Sequence, residues 1–206
     1  MTPARHRRRA EDGTVFVAYV IAIAGFVLVW FCQLYLVFPI EQSIRGDDSA
    51  VNAFSYVFLP HGVKVLIVLL FMQRGLPIIL VVSFLFGIHF GYASDYALLG
   101  AAIASLTAIL PLWLVNITFK RPLNYQFWNV ARDNFSLFRF AFVISIAVAV
   151  LDSIFQAALA KLMLDLDPNI ELSLGFLTGD IVGGFICITI AIFAGRMAIK
   201  RYGNVF

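Results

Sequence analysis

Apolar residues follow one another in six long segments, and a short polar or charged connection separates each segment from the next. A helix needs roughly 20 residues to cross about 30 Å of hydrocarbon, and most of the segments reach that length. The pattern therefore predicts an all-α polytopic membrane protein with six transmembrane helices. Their expected ranges are about 14–38, 53–72, 74–92, 97–119, 138–164 and 172–199, with residues 1–13 as a basic anchor and 200–206 as a tail.

The composition indicates an environment of lipid rather than water. Of 206 residues, 62% are hydrophobic and 13% are charged, whereas a soluble domain averages about 45–50% and about 25%. A soluble globular domain is thereby excluded, and six spans leave no length for a separate one. Cys32 and Cys187 both lie in apolar segments, so we expect neither a disulfide framework nor a metal-binding cysteine spacing.

The distribution of Lys and Arg predicts the orientation. A basic run precedes a first apolar segment of about 25 residues, which is too long for a signal-peptide core and has no small-residue cleavage site. With this span retained and the N-terminus inside, twelve of the fifteen Lys and Arg residues fall on the inner side, and only Arg45 lies in an outer loop. Because cations concentrate on the cytoplasmic side, both termini are expected there. The outer loops instead collect acidic residues: Glu41, Asp47, Asp48, Asp95, Asp165, Asp167 and Glu171.

Four ionisable residues lie far from the ends of the predicted helices, where an unpaired charge is costly. At a rise of about 1.5 Å per residue, Lys64 and Asp152 share the midplane, and His61 and Asp180 share a level about one helical turn further out. The matching depths predict two pairs between the second, fifth and sixth helices. Gln156 lies one turn outward from Asp152 on the same face and is expected to add a hydrogen bond to this polar centre.

Two interpretations of the polar centre stay open at this stage. In the first, the pairs serve only to hold the bundle together. In the second, they form a ligand or proton site reached from the acidic outer side. Pro60 and Gly62 favour the second interpretation, because a helix broken at these residues exposes backbone groups that must face protein or a cavity. We therefore expect Pro60, His61, Gly62 and Asp180 to line a cavity that opens toward the outer face.

Glycines recur at four-residue spacing in the sixth predicted helix, at Gly175, Gly179 and Gly183. A stripe of small residues lets another helix approach closely, and packing inside the bundle is favoured over a dimer interface. Signatures of catalysis are absent from the sequence, which has no metal-spaced histidine pair and no glycine-rich phosphate loop. We accordingly predict a protein that is not an enzyme and has no metal or cofactor.

Two segments resemble a known family. The first is Phe58-Leu59-Pro60-His61-Gly62-Val63-Lys64, followed by an apolar run, by Arg74-Gly75-Leu76-Pro77 and by Gly87; the second is Phe176-Leu177-Thr178-Gly179-Asp180-Ile181-Val182-Gly183. Their order and separation are similar to those of the membrane-associated sensor family called MASE, over about residues 50 to 200. The resemblance implies a sensor-type bundle. Members of the family are often fused to kinase or cyclase output domains, so a stand-alone bundle is expected to signal through a partner protein.

The expected function is therefore that of a non-catalytic sensor or partner-binding protein in a bacterial inner membrane. Its expected partners are the lipid bilayer and a membrane or cytoplasmic protein, with a small ligand as a further candidate and no nucleic acid. Two alternatives remain. The chain is also of the size of six-helix substrate-capture components of uptake transporters, and it equally fits an accessory subunit of a larger membrane complex.

Overall fold

A computed structural model describes residues 3–45, 55–119, 134–164 and 170–202, and all regular structure in these ranges is helical. Helix α1 (Pro3–Cys32) continues through one π turn (Gln33–Val37) into α2 (Phe38–Arg45). The remaining helices are α3 (Leu59–Phe71), α4 (Leu76–His89), α5 (Ser94–Phe119), α6 (Asn134–Leu164) and α7 (Ile170–Tyr202). The predicted outer positions Asp47, Asp48, Asp165 and Asp167 lie outside the described residues.

Five helical stretches are long and apolar enough to cross a membrane, which makes this an all-helical, multi-pass type of membrane protein. They are Phe16–Ile44, Leu59–His89, Ser94–Thr118, Phe138–Met163 and Ser173–Ala194. The count differs from the six predicted helices because α3, a short 3-10 segment (Met72–Gly75) and α4 follow one another without a gap. At the N-terminus, α1 already begins at Pro3, so the predicted anchor is helical over residues 3–13 and continuous with the first span.

The chain reverses direction between α3 and α4. Phe58, just before α3, and Phe86, near the end of α4, both contact the indole of Trp30, with ring centroids 5.4 and 5.0 Å from it. One continuous helix would place these two phenylalanines roughly 42 Å apart. Met72 marks the reversal with a φ of 55°, a conformation that is unusual for a residue with a side chain. Helices α3 and α4 are thus an antiparallel pair, each roughly 20 Å long.

The predicted break at Pro60–Gly62 is wrong. Pro60 lies in the first turn of α3, where its missing N–H would have had no helical partner and its fixed φ suits the helix. The second predicted helix accordingly begins at Leu59 rather than at residue 53, and the third covers Leu76–His89 rather than 74–92. Residues 55–58 form a bent, non-helical approach to α3, and the sequence pattern did not distinguish this approach from helix.

Helix α3 lies at the centre of the bundle, with eight of its thirteen residues buried. Its apolar side joins a core that includes Val68, Ile79, Leu112, Val148 and Ile188, each exposing less than 2% of its surface. Many large apolar side chains on the outer surfaces of the helices are exposed, as hydrocarbon contact requires. The polar residues of α3 therefore face protein and not the lipid side.

Glycines bring α3 and α7 together. A Cβ added to Gly62 would lie 2.5 Å from the Cβ of Cys187 and 2.8 Å from the carbonyl oxygen of Gly183. Gly179 and Gly183 in turn face the backbone of residues 55–59, and the Phe58 N–H donates to the Gly179 carbonyl at 2.9 Å. Gly175 is buried on the same helix. The close approach that the glycine spacing predicted thus occurs within this chain, between α7 and the start of α3.

Candidate functional site

Lys64 and Asp152 meet in the interior of the bundle. The ammonium nitrogen of Lys64 donates to Asp152 Oδ2, and the two residues are only 3% and 5% exposed. The second carboxylate oxygen, Oδ1, accepts a hydrogen bond of 2.9 Å from the Thr107 hydroxyl of α5. Both oxygens of Asp152 therefore have partners, as a buried charge requires. The sequence analysis predicted the pair but did not identify Thr107, because a threonine in an apolar helix carries no distinguishing signal.

His61 lies one helical turn away from Lys64 on α3 and is completely buried. Its Nε2 is 3.2 Å from the carbonyl oxygen of Ser145, and its Nδ1 is 3.0 Å from Asp180 Oδ2. The contact with Asp180 is close but lacks the alignment of a hydrogen bond. The predicted juxtaposition of His61 with Asp180 is therefore present, on helices α3 and α7.

The partners of His61 indicate its protonation. A carbonyl oxygen only accepts, so Nε2 carries a hydrogen in this arrangement. An unprotonated Nδ1 would then lie 3.0 Å from a carboxylate oxygen, and two electron-rich atoms at this distance repel one another unless either His61 or Asp180 holds one further proton. The geometry thus favours a pair that retains one proton and has no net charge. Lys64 and Asp152 carry opposite charges, so with one proton on the His61–Asp180 pair the polar centre would have no net charge.

A metal ion fits this cluster less well than a proton does. His61, Asp152 and Asp180 offer ligand atoms that lie within 4.8 Å of one another, and all three residues are buried. However, Lys64 and Thr107 already occupy the two oxygens of Asp152. A divalent cation would have to displace the ammonium group from that carboxylate and remain beside it, which is electrostatically unfavourable.

A cavity of about 380 Å³ reaches the polar centre. Pro60, His61 and Asp180 line it as predicted, together with Lys64 and Asp152. Gly62 does not line it, because this glycine faces the backbone of α7. Gln156 lines the cavity as well, but its side-chain amide donates over 3.4 Å to the Gly100 carbonyl of α5 and not to the polar centre.

Aromatic rings form much of the remaining wall. Eight aromatic side chains line the cavity: Phe26, Trp30, Phe38, Phe58, Phe90, Tyr92, Tyr96 and Phe176. Near the helix ends, the Tyr92 and Tyr96 rings pack in a tilted arrangement, with centroids 4.9 Å apart and planes at 54°. Burial raises the pKa of the Tyr92 phenol, which keeps it neutral. The buried Trp30 Nε1–H has no hydrogen-bond partner among the described residues. A volume of this size with mixed aromatic and polar walls is typical of a small-molecule site.

A second polar cluster holds the start of α3 in position. Gln33, in the π turn and fully buried, accepts a 3.0 Å hydrogen bond from the Leu59 N–H and donates one of 3.0 Å to the Ser55 hydroxyl. Glu41 accepts from the Val57 N–H at 2.9 Å and from the Ser55 hydroxyl at 2.8 Å. Gln33 thus satisfies one of the free N–H groups of the helix start. The sequence analysis missed this cluster, although a glutamine within an apolar run was a usable signal.

No family model, curated protein or solved structure matches the chain.

Proposed function

We propose that the chain is a sensor-type membrane protein without catalytic activity, which detects a small ligand through its cavity and signals to a separate protein partner. The observation that carries this proposal is the position of the two charged pairs, which lie at a cavity and not in sealed packing. A purely structural pair gains nothing from a cavity beside it. The resemblance to the MASE family, which includes the segments around His61 and Asp180, supports the same interpretation.

We further propose that both termini are cytoplasmic and that the protein is located in a bacterial inner membrane. The antiparallel α3 and α4 support this topology, because a single crossing by residues 59–89 would leave the two termini on opposite sides. The helices that follow are antiparallel to their neighbours as well. Gly87 near the end of α4 faces Ala97 near the start of α5. Gly100 near the start of α5 faces Leu159 near the end of α6. With the cation distribution, these reversals favour six passes and an outward-facing cavity.

Helix α3 is the element that would transmit the signal. It carries His61 and Lys64 toward the cavity. Its Gly62 also packs tightly against the backbone of α7. A change of charge at His61 alters the attraction between α3 and Asp180 on α7 directly. Because closely packed helices shift as rigid units and do not deform locally, such a change would displace α7 along its length toward the cytoplasmic side.

The cavity also supports a second candidate, a substrate-capture component of an uptake transporter. A capture component would copurify with an ATPase and would support uptake of its substrate into vesicles containing that ATPase. A sensor would show neither property. The third function, an accessory subunit, has less support, since Gly179 and Gly183 of the glycine stripe are occupied by contacts within the chain.

Cysteine labelling of the cavity wall from outside the cell tests the proposal. In a background of Cys32→Ala and Cys187→Ala, Ser83→Cys places a thiol in the cavity wall on α4. Intact cells are then treated with a membrane-impermeant thiosulfonate that carries a trimethylammonium group. The cysteine at position 83 should react from outside. The matched control is Ser105→Cys, because Ser105 is 6% exposed and is not part of the cavity wall. Equal, slow reaction at both positions, or reaction at position 83 only from the cytoplasmic side, would contradict an outward-facing ligand site.

A further inference from the structure

We infer that the ligand of this cavity is a small organic ammonium ion, which binds in exchange for the proton held between His61 and Asp180. This inference rests on the proposed function, because it names the ligand class of the same cavity. Three features of the described residues support it: the charges of the cavity wall, its aromatic rings and the unfilled hydrogen-bonding capacity of the polar centre.

The charges of the wall favour a cation. Three carboxylates line the cavity, at Glu41, Asp152 and Asp180, whereas Lys64 is the sole Lys or Arg among the lining residues. Both oxygens of Asp152 accept hydrogen bonds from other side chains. Glu41 accepts hydrogen bonds from the Ser55 hydroxyl and the Val57 N–H. Asp180 differs, because the one polar contact of its carboxylate with a described side chain is the contact with His61. Asp180 is therefore the carboxylate that can accept hydrogen bonds from a ligand.

The aromatic rings favour an organic cation over a metal ion. Trp30 contacts Phe58 and Phe90 with centroid distances of 5.4 and 5.9 Å, and all three rings belong to the cavity wall. Ring faces attract ammonium groups and bury hydrocarbon at the same time. A hydrated divalent ion would gain little from such a wall and would also meet the Lys64 ammonium group at Asp152.

The exchange conserves charge. Before binding, one proton lies on the His61–Asp180 pair, and the polar centre is neutral. When an ammonium ion binds to Asp180, His61 releases its Nδ1 proton to solvent and keeps the Nε2 hydrogen that faces Ser145. The neutral Nδ1 then accepts a hydrogen bond from the ligand's N–H. One positive charge enters and one leaves, so no uncompensated charge is buried.

The exchange makes binding depend on pH. The titratable or charged groups that face His61 and Asp180 or line the cavity are Lys64 on α3, Asp152 on α6, Glu41 on α2, Tyr96 on α5, and Tyr92 in the loop before α5. His61 Nδ1 is buried beside Asp180 without a well-aligned hydrogen-bond partner among the described residues, whereas Lys64 and Asp152 bind one another. Because a proton and the ligand compete, affinity should rise with pH by about tenfold per unit while the pair retains its proton, and then become constant.

The experiment compares three probes of one shape: benzylammonium, benzyl alcohol and benzoate. Their binding to the purified full chain in lipid nanodiscs is followed by titration calorimetry between about pH 5 and pH 8. Benzylammonium should bind about 10- to 100-fold more tightly than benzyl alcohol, and benzoate should bind most weakly. Heats measured in buffers of different ionisation enthalpy should show the release of about one proton per bound benzylammonium.

Asp180→Asn is the test variant, and Asp95→Asn is its matched control at an exposed outer position. An asparagine amide can donate to neutral Nδ1, so the variant should fold while it loses both the preference for the ammonium probe and the dependence on pH. Thermal melting checks that it is folded. Asp95→Asn should leave both properties unchanged.

Three results would overturn the inference: equal binding of benzylammonium and benzyl alcohol, an affinity that does not change with pH, or His61-dependent binding of Zn²⁺ without binding of benzylammonium. The access test separates this failure from that of the proposed function. A cysteine at position 83 that reacts from outside while benzylammonium fails to bind would refute the ligand class alone.

Discussion

Replacing Lys64 with methionine should strongly destabilise the protein. Methionine approximates the length of the lysine side chain but removes the charge, so the Asp152 carboxylate would keep only the hydrogen bond from Thr107. Asp152 is 5% exposed, so its charge would have little contact with water and would lose the ammonium group that now binds it. Breaking a buried ion pair in this way costs about 3–5 kcal/mol in soluble proteins, which is a loss of about 150- to 4,000-fold in the folded-to-unfolded ratio.

Replacing Asp152 with leucine in the Lys64→Met variant should restore most of the lost stability. In Lys64→Met with Asp152→Leu, no buried charge remains, and the Thr107 hydroxyl can turn its single hydrogen to the Ile103 carbonyl oxygen 2.9 Å away. The double variant should therefore lie within about 1–2 kcal/mol of the original protein. Asp152→Leu alone leaves a buried ammonium group and should lose about as much stability as Lys64→Met. The coupling energy between the two sites should be at least about 3 kcal/mol.

Reversible unfolding in mixed micelles, with added dodecyl sulfate and circular dichroism as the signal, measures these differences. Lys161→Met is the control, because Lys161 is exposed on α6 and its loss should change stability by less than about 0.5 kcal/mol. If the loss in the double variant equals the sum of two large single losses, Lys64 and Asp152 do not stabilise one another.

Three further predictions concern the packing, the start of α3 and the topology. Gly62→Ala should destabilise the protein by about 1–3 kcal/mol, because the added carbon meets Cys187 and Gly183; Gly25→Ala, with nothing within 4 Å, should have no such effect in the same unfolding assay. Gln33→Leu should cost about 1–3 kcal/mol and should speed hydrogen exchange at the Leu59 amide, and unchanged exchange there would contradict its capping role. A cysteine that replaces Asp95, in the first turn of α5, should react with an impermeant maleimide from outside the cell, and reaction only from the cytoplasm would overturn the proposed orientation.

The pairing of ionisable residues could be predicted because helical geometry leaves few choices. A fixed rise per residue converts sequence position into depth, and a buried charge requires a partner at its own depth. Lys64 and Asp152, and His61 and Asp180, could be matched in this way without a structure. The other partners could not be matched, because Ser145 contributes a backbone carbonyl and Thr107 a hydroxyl, and neither group stands out within an apolar helix.

The predicted start of α3 and the predicted break at Pro60–Gly62 were wrong for a different reason. A proline breaks a helix when it lies in the interior and favours one when it lies in the first turn, so its meaning depends on where the helix begins. That beginning is set by tertiary contacts, since Gln33 and Glu41 bind the backbone of residues 57–59 from another helix. Hydropathy carries no information about such contacts. The reversal at Met72 likewise becomes visible only through the ring contacts that place Phe58 and Phe86 around Trp30.

The central claim is that occupancy of the cavity is communicated across the membrane. Hydrogen–deuterium exchange of the backbone amides, measured with the cavity occupied and with it empty, tests this claim most directly. Ser83→Cys protein in nanodiscs is measured before and after a trimethylammonium thiol is attached within the cavity, and Ser105→Cys protein treated in the same way is the control. A sensor should change its exchange near the cavity and also at the cytoplasmic ends of α6 and α7, around residues 138–142 and 190–197. A change confined to the cavity wall, with both cytoplasmic ends unaltered, would show that occupancy is not communicated across the membrane.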